Sequence, residues 1–309
     1  MENNTNILQK GYDKYSGWME FSKMKYPTPV WIAISLGATI GVAIISLVLT
    51  TLILRETTLI PIAFGLAAFV LTIGYPYMKK EAIIDNIEKN FSDALKQMAD
   101  TLKAGDTYES ALREVVESDY GRLSDEMGLA LRRLEDGENL ESALSGFAQR
   151  IDSRLVKRTI TIILDSIKTG ASLAEILDDI AEDVRDFQRL KEDRKSNTTM
   201  QFMFMVAAGG FIAPLIFGEI NAVVNNFSKI SAQALTPAQM ASSAQTSNFI
   251  ILLIQLYLII EVVGSGTMMA LIREGKINKS IIYIPILLLI AFIMYYASSI
   301  MVKSMLAGA

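Results

Sequence analysis

The chain has 309 residues, 51% apolar and only 20% charged, with a formal net charge of -4 and a mean hydropathy of +0.34; it is too apolar for an ordinary soluble domain. Cysteine and histidine are both absent, which excludes disulfides, the usual zinc sites, cysteine nucleophiles and histidine general bases. Residues 79–195 hold 26 of the 33 acids and 19 of the 29 bases, so one acidic block sits inside a membrane-spanning chain, and its excess of acids argues against a nucleic-acid partner.

Residues 1–25 form an N-terminal segment in which Tyr12, Tyr15, Trp18 and Phe21 recur every three residues among lysines, a spacing that fits either a short helix on the inner membrane surface or a loosely ordered tail. Crossing about 30 Å of hydrocarbon takes about 20 helical residues with few charges, because no water is there to satisfy the backbone. Residues 26–54 and 57–78 carry no charge and read as a transmembrane hairpin over 26–78, turning at Arg55 and Glu56. The first of these reads as a retained anchor rather than a cleaved signal peptide.

Residues 79–195 read as an all-helical cytoplasmic domain. Phe91, Leu95, Met98 and Leu102 step by three and four, as do Leu123, Met127, Leu131 and Leu134. The same holds for Leu173, Ile176, Leu177, Ile180, Ala181, Val184, Phe187 and Leu190, so each set predicts a buried stripe on an amphipathic helix. One short phrase recurs three times: KAGDTYESAL at 103–112, EDGENLESAL at 135–144 and IKTGASLAEIL at 167–177. In each, Gly105, Gly137 or Gly170 ends a helix by taking the left-handed conformation. Thr107, Asn139 or Ser172 then caps the next helix, with capping boxes at Asp106/Glu109 and Ser172/Glu175, and Leu112, Leu144 or Leu177 restarts the stripe. Three such corners predict three αα-hairpins and a compact six-helix bundle, joined to the flanking spans without slack.

Residues 196–309 carry three more spans, at 196–218, about 249–272 and about 281–302, with an extracytoplasmic loop at about 225–247. Lys10, Lys14, Lys23, Lys25, Lys79, Lys80, Arg194, Lys195, Arg273, Lys276 and Lys279 all fall on one side of five spans. This places the N-terminus and the polar block in the cytoplasm and the C-terminus outside. The third span packs Gly209, Gly210, Pro214 and Gly218 into AAGGFIAPLIFG, a composition for a kinked, closely packed helix, serving packing alone or a hinge. The sequence GSG at 264–266 can act likewise. Two carboxylates stand in the spans: Glu219 near an outer end, and Glu261 about twelve residues into its span, where a charge costs about 2.5–3.5 kcal/mol. Glu261 is read either as a structural hydrogen-bonding acid or as part of a groove for a partner helix.

The strings FSDALKQMADTLKAGDTYESAL, LRRLEDGENLESAL and IKTGASLAEILDDIAEDVRDFQRLKEDRK, running into a span, resemble the type II secretion F domain of the membrane platform proteins of type IV pilus, archaellum and tight-adherence machines. The resemblance covers about residues 80–225. It implies an integral platform subunit of a bacterial or archaeal cell membrane that binds a hexameric secretion ATPase on its cytoplasmic side and handles pilin-like subunits in the membrane. The single domain copy and five spans look most like the tight-adherence type, which implies pairing with itself or a paralogue. For the ATPase contact the candidates are Arg132, Arg133, Lys157, Arg158, Arg194 and Lys195, with the turn holding Arg273, Lys276 and Lys279 preferred. Phosphate-loop and serine-elbow motifs are missing from the sequence, so no enzyme and no cofactor is expected. Two other readings are a small-solute transporter with a helical regulatory domain, motivated by Glu261, Pro214 and the glycines, and a membrane sensor signalling through its bundle.

Overall fold

The computed structural model describes residues 2–54, 60–168, 172–232 and 237–307, which are helical with no strand among them. Five helices are long and apolar enough to cross a membrane, so the protein is an all-α, multi-pass membrane protein. The chain divides into two compact units. One comprises the residues up to Ser16, Met24–Pro76 and the chain from Lys195; the other comprises Gly17–Lys23 and Tyr77–Arg194.

The first unit holds the apolar spans. Helix α1 runs over Glu2–Phe21, and α2 over Thr28–Leu49 with a π-helical turn at Thr50–Leu54. The turn assigned to Arg55 and Glu56 lies outside the described residues. Helix α3 covers Ile60–Lys103 with Pro76 inside it; at 44 residues it is about 66 Å long, twice what a bilayer requires. Near the other end of the chain come α9 (Thr199–Val206), a π-helical segment (Ala207–Ile212), α10 (Ala213–Ala232), α11 (Pro237–Glu274), a short 3₁₀ turn (Ile277–Lys279) and α12 (Ser280–Ala307). The stretch 225–247, read as a loop, is therefore helical up to Ala232 and again from Pro237. The alanines, glutamines and Met240 of PAQMASSAQTSN at the start of α11 favour helix, with no glycine to end it. Leu258, Val262, Phe292 and Tyr295 form the centre of this unit's core.

The second unit contains the C-terminal part of α3, with α4 (Tyr108–Glu117), α5 (Arg122–Glu135), α6 (Leu140–Arg150), α7 (Arg154–Lys168) and α8 (Leu173–Asn197). Consecutive helices pack on one another from α4 to α7 around Phe91, Leu95, Leu112, Leu123, Met127, Phe147, Ile163 and Leu177, all under 3% exposed. The rings of Phe91 and Phe147 sit 6.2 Å apart at its centre. The stripe on α8 stops short of its sequence reading: Val184 is buried, but Phe187 is 50% and Leu190 68% exposed. Two successive three-residue steps fall behind a 3.6-residue turn, by about 60° each, so the inward positions pass to Gln188 and Lys191.

The end of α1 packs within the second unit through its aromatic residues. Trp18 packs 5.2 Å from Tyr77 with the Lys80 ammonium 5.7 Å from its ring, and the Arg122 guanidinium lies 5.5 Å from Phe21. Met19 between them is 3% exposed. Cations of the bundle thus lie over the aromatic faces of Trp18 and Phe21.

Candidate partner-facing surface and intramembrane polar site

The recurring phrase builds matching corners where it is described. Gly105 and Gly137 take φ of 95° and 91°. At the first corner Gly105 N–H donates to Leu102 O and Asp106 N–H to Thr101 O; at the second Gly137 N–H donates to Leu134 O and Glu138 N–H to Arg133 O. Both are Schellman closures. Thr107 then accepts from Ser110 N–H and Asn139 from Ser142 N–H, each satisfying a donor that opens the next helix. Thr107 rather than Asp106 is the cap, so a box with Glu109 does not form in the expected register. Gly170 lies outside the described residues, while the Ser172 carbonyl accepts from Ile176 N–H. Leu112, Leu144 and Leu177 are all buried.

Helices α3 and α8 are joined by ion pairs that no local motif announces. Lys191 contacts Asp85 at 3.0 Å and Glu88 at 3.1 Å, Arg185 contacts Asp93 at 2.8 Å, and Asp178 holds both Lys96 at 2.5 Å and Lys103. The pairing numbers fall on α3 as they rise on α8, the signature of an antiparallel pair zipped by charge. Glu88 also accepts from Ser153 Oγ at 2.7 Å, and Ser153 Oγ accepts from Val156 N–H, which ties in the start of α7. Lys103 first, then Lys96, hold the Asp178 carboxyl below its usual range. Burial pushes Lys191 down, but bonding to Asp85 and the charges of Glu88 and Asp85 outweigh it and hold the ammonium above its usual value. A second unforeseen node is Glu126, 3% exposed, which meets Arg150 Nε and Arg122 at 2.9 Å each. Only the four-residue spacing of Arg122 and Glu126 hinted at it.

The basic candidates separate into inward and outward groups. Lys279 is 7% exposed and lies 3.1 Å from Glu274, which Lys195 also approaches at 3.4 Å. Arg273 stacks 4.5 Å from the Phe202 ring, which packs in turn on Tyr283. The preferred turn thus turns two of its three bases inward; Lys276 remains exposed. Charge periodicity could not reveal this, because the acid that gathers Lys195 and Lys279 is a single residue at the end of a span. In the bundle, Arg132, Arg158 and Arg194 are exposed, Lys157 is exposed 3.7 Å from Asp152, and Arg133 lies 4.0 Å from Glu138 beside Gly146. A shallow polar groove of about 590 Å³ opens between α3, α4 and α8, lined by Asp93, Asp100, Glu114 and Tyr120. Thr101 first, then Gln97, hold the Glu114 carboxyl below its usual range.

Within the spans the glycines are places of close approach. A Cβ on Gly218 would strike the Tyr295 carbonyl and come 2.9 Å from Ser298; one on Gly266 would lie 3.1 Å from the Ile284 backbone. At Gly209 it would meet Ser265 Oγ at 2.9 Å, and at Gly210 Leu287 at 3.0 Å. Gly264 has open space instead. Gly209 and Gly210 belong to the π-helical segment that precedes Pro214. Buried polar bonds run alongside: Asn221 to Ser299 at 3.2 Å, Ser298 Oγ to Leu215 O at 2.9 Å and Gln255 to Tyr296 at 3.2 Å. They bind α10, α11 and α12 by groups that lipid could not satisfy. Glu219 is exposed. Glu261 is half-buried, and its Oε2 is buried without a hydrogen-bond partner.

Residues 94–218 match the protein family described as Type II secretion system (T2SS), protein F. An uncharacterised protein of Methanocaldococcus jannaschii is 28% identical over 163 residues, which are 52% of this chain and 50% of that protein. The chain thus spans about half the length of the curated relative it matches. No solved structure matches it.

Proposed function

We propose, starting from a multi-pass membrane protein whose residues 94–218 carry a type II secretion protein F domain, that it is the platform subunit of a pilus-like or secretion machine. In this reading a cytoplasmic hexameric ATPase works on the bundle, and pilin-like subunits enter or leave a filament beside the spans. Five apolar helices and the family support a cell-membrane location, and the clustered bases support a cytoplasmic bundle with the C-terminus outside.

The observation that carries the reading is the charge zip between α3 and α8. These are the helices through which the bundle joins the spans: α3 is one helix from Ile60 to Lys103, and α8 ends at Asn197, with α9 starting at Thr199. Three ion-pair nodes resist sliding of one helix past the other, so a push on the bundle acts on both together.

The ATPase contact falls to the outward bases, Arg132 and Arg158, rather than to the turn at 273–279. Pairing of the chain with itself or a paralogue, of tight-adherence type, belongs to the same proposal. Co-purification of the full chain with the ATPase from membranes tests the contact: Arg132→Glu with Arg158→Glu abolishes it, and Lys279→Gln leaves it bound when the protein is folded. Retention by the double variant removes this surface.

A further inference from the structure

The third span loses a backbone donor at the level where α11 presents an acid. Ala213 N–H donates to Ala208 O, the five-residue step of the π-helix. The next residue, Pro214, has no N–H. Neither Gly209, next in a five-residue ladder, nor Gly210, next in a four-residue ladder, receives a bond from position 214. What lies opposite is fixed by two contacts. Tyr257 packs 5.1 Å from Phe217, and two turns further along α11, Ser265 Oγ stands 2.9 Å from where a Cβ of Gly209 would be. Glu261 is one turn from each. It is therefore level with Ala213 and Pro214, midway between Phe217 and Gly209, and its buried Oε2 has no hydrogen-bond partner.

We propose that Glu261 is a proton-binding site inside the membrane, and that the neutral acid donates a hydrogen bond to the backbone carbonyl left open by Pro214. A carbonyl oxygen only accepts, so an ionised Glu261 would set lone pairs against lone pairs, whereas the protonated form supplies the missing donor. Among the described residues of the neighbouring helices, no countercharge offers an alternative. Helix α9, the π-helical segment, residues 213–218 and residues 280–302 contain no Asp, Glu, Lys or Arg. The titratable groups there are Tyr283, Tyr295 and Tyr296, with Tyr257 one turn away; Glu219 is exposed on α10, and Arg273 and Glu274 lie three turns along α11. Binding is a simple addition: a proton from water joins one carboxylate oxygen, and the charge at the span's centre disappears.

The full chain in lipid vesicles, at neutral pH, gives a direct readout by infrared spectroscopy. The carbonyl stretch of a protonated carboxyl is present in the wild type and missing from Glu261→Gln. Its absence from the wild type, or its persistence in the variant, overturns the proposal. Thermal unfolding in the same vesicles tests the partner. Glu261→Gln keeps a donor and melts with the wild type, while Glu261→Leu melts lower. In a Pro214→Ala background, which restores the N–H, the loss on Glu261→Leu shrinks to less than half. Equal losses in both backgrounds mean that acid and open carbonyl do not meet, and the proposal fails.

Discussion

The ammonium of Lys191 on α8 lies 3.0 Å from a carboxylate oxygen of Asp85 on α3, and the same nitrogen reaches Glu88 at 3.1 Å. Lys191→Met would leave two acids facing each other with no cation between them. The bundle should lose about 1–3 kcal/mol, read as a lower melting temperature of the full chain in detergent by circular dichroism. The pH dependence has a definite sign. A lysine held above its usual value contributes stability that is complete below the value in the unfolded chain, 10.5, and is lost as pH rises through the folded-state value. The wild type therefore loses part of its margin over Lys191→Met in strongly alkaline buffer. A constant difference from neutral pH upward would remove the ion pair as its cause.

The corners make a second prediction, with a ranking. Gly137 holds φ of 91°, so Gly137→Ala should cost about 1–2 kcal/mol, the strain of a left-handed alanine. Gly105→Ala should behave alike, since open space surrounds both glycines and only the backbone objects. Removing a cap, as in Thr107→Ala or Asn139→Ala, costs about 1 kcal/mol. Chemical denaturation should show each pair losing alike at the two corners. A Gly105→Ala as stable as the wild type would mean that its closure does not hold the helix pair.

Those corners were legible because they rest on local chemistry: a glycine, a capping side chain and a leucine at fixed spacing state the turn without reference to the rest of the chain. The spans were legible for a similar reason, since lipid imposes one composition on any helix within it. What escaped notice depends on distant partners. Phe187 and Leu190 fit a helical stripe by counting, yet the stripe's phase slips by the time it reaches them. Lys279 reads as a surface base until Glu274 and Lys195 are found around it. Periodicity reports a residue's face on its own helix, and here it does not say which residue of another helix that face will meet.

Glu126 offers a test of a charge that sequence alone would leave on the surface. It is 3% exposed between Arg122 and Arg150. Glu126→Ala leaves two guanidinium groups together in a poorly solvated place and should lose about 3–5 kcal/mol. Glu141, on the neighbouring α6, is exposed and paired with Lys168 at 2.6 Å. Glu141→Ala should lose less than about 1 kcal/mol. Similar losses for the two, measured by thermal unfolding, would show that burial does not set the strength of these pairs.

The glycines of the spans divide by what a methyl group would meet. At Gly218 it would strike the Tyr295 carbonyl, a backbone atom that cannot swing aside, with Ser298 also 2.9 Å away. At Gly264 it would meet nothing within 4 Å. Gly218→Ala must therefore push α10 from α12, lengthening the Ser298 bond to Leu215 O and the Asn221 bond to Ser299. The loss should be about 1–3 kcal/mol. Gly264→Ala should match or slightly exceed wild-type stability, because alanine favours helix over glycine by about 1 kcal/mol. Both residues sit in glycine-bearing stretches that look alike as strings, so their separation depends on packing alone. Melting temperatures in detergent decide it: if Gly264→Ala falls as far as Gly218→Ala, helix propensity and close contact are not what these glycines answer to.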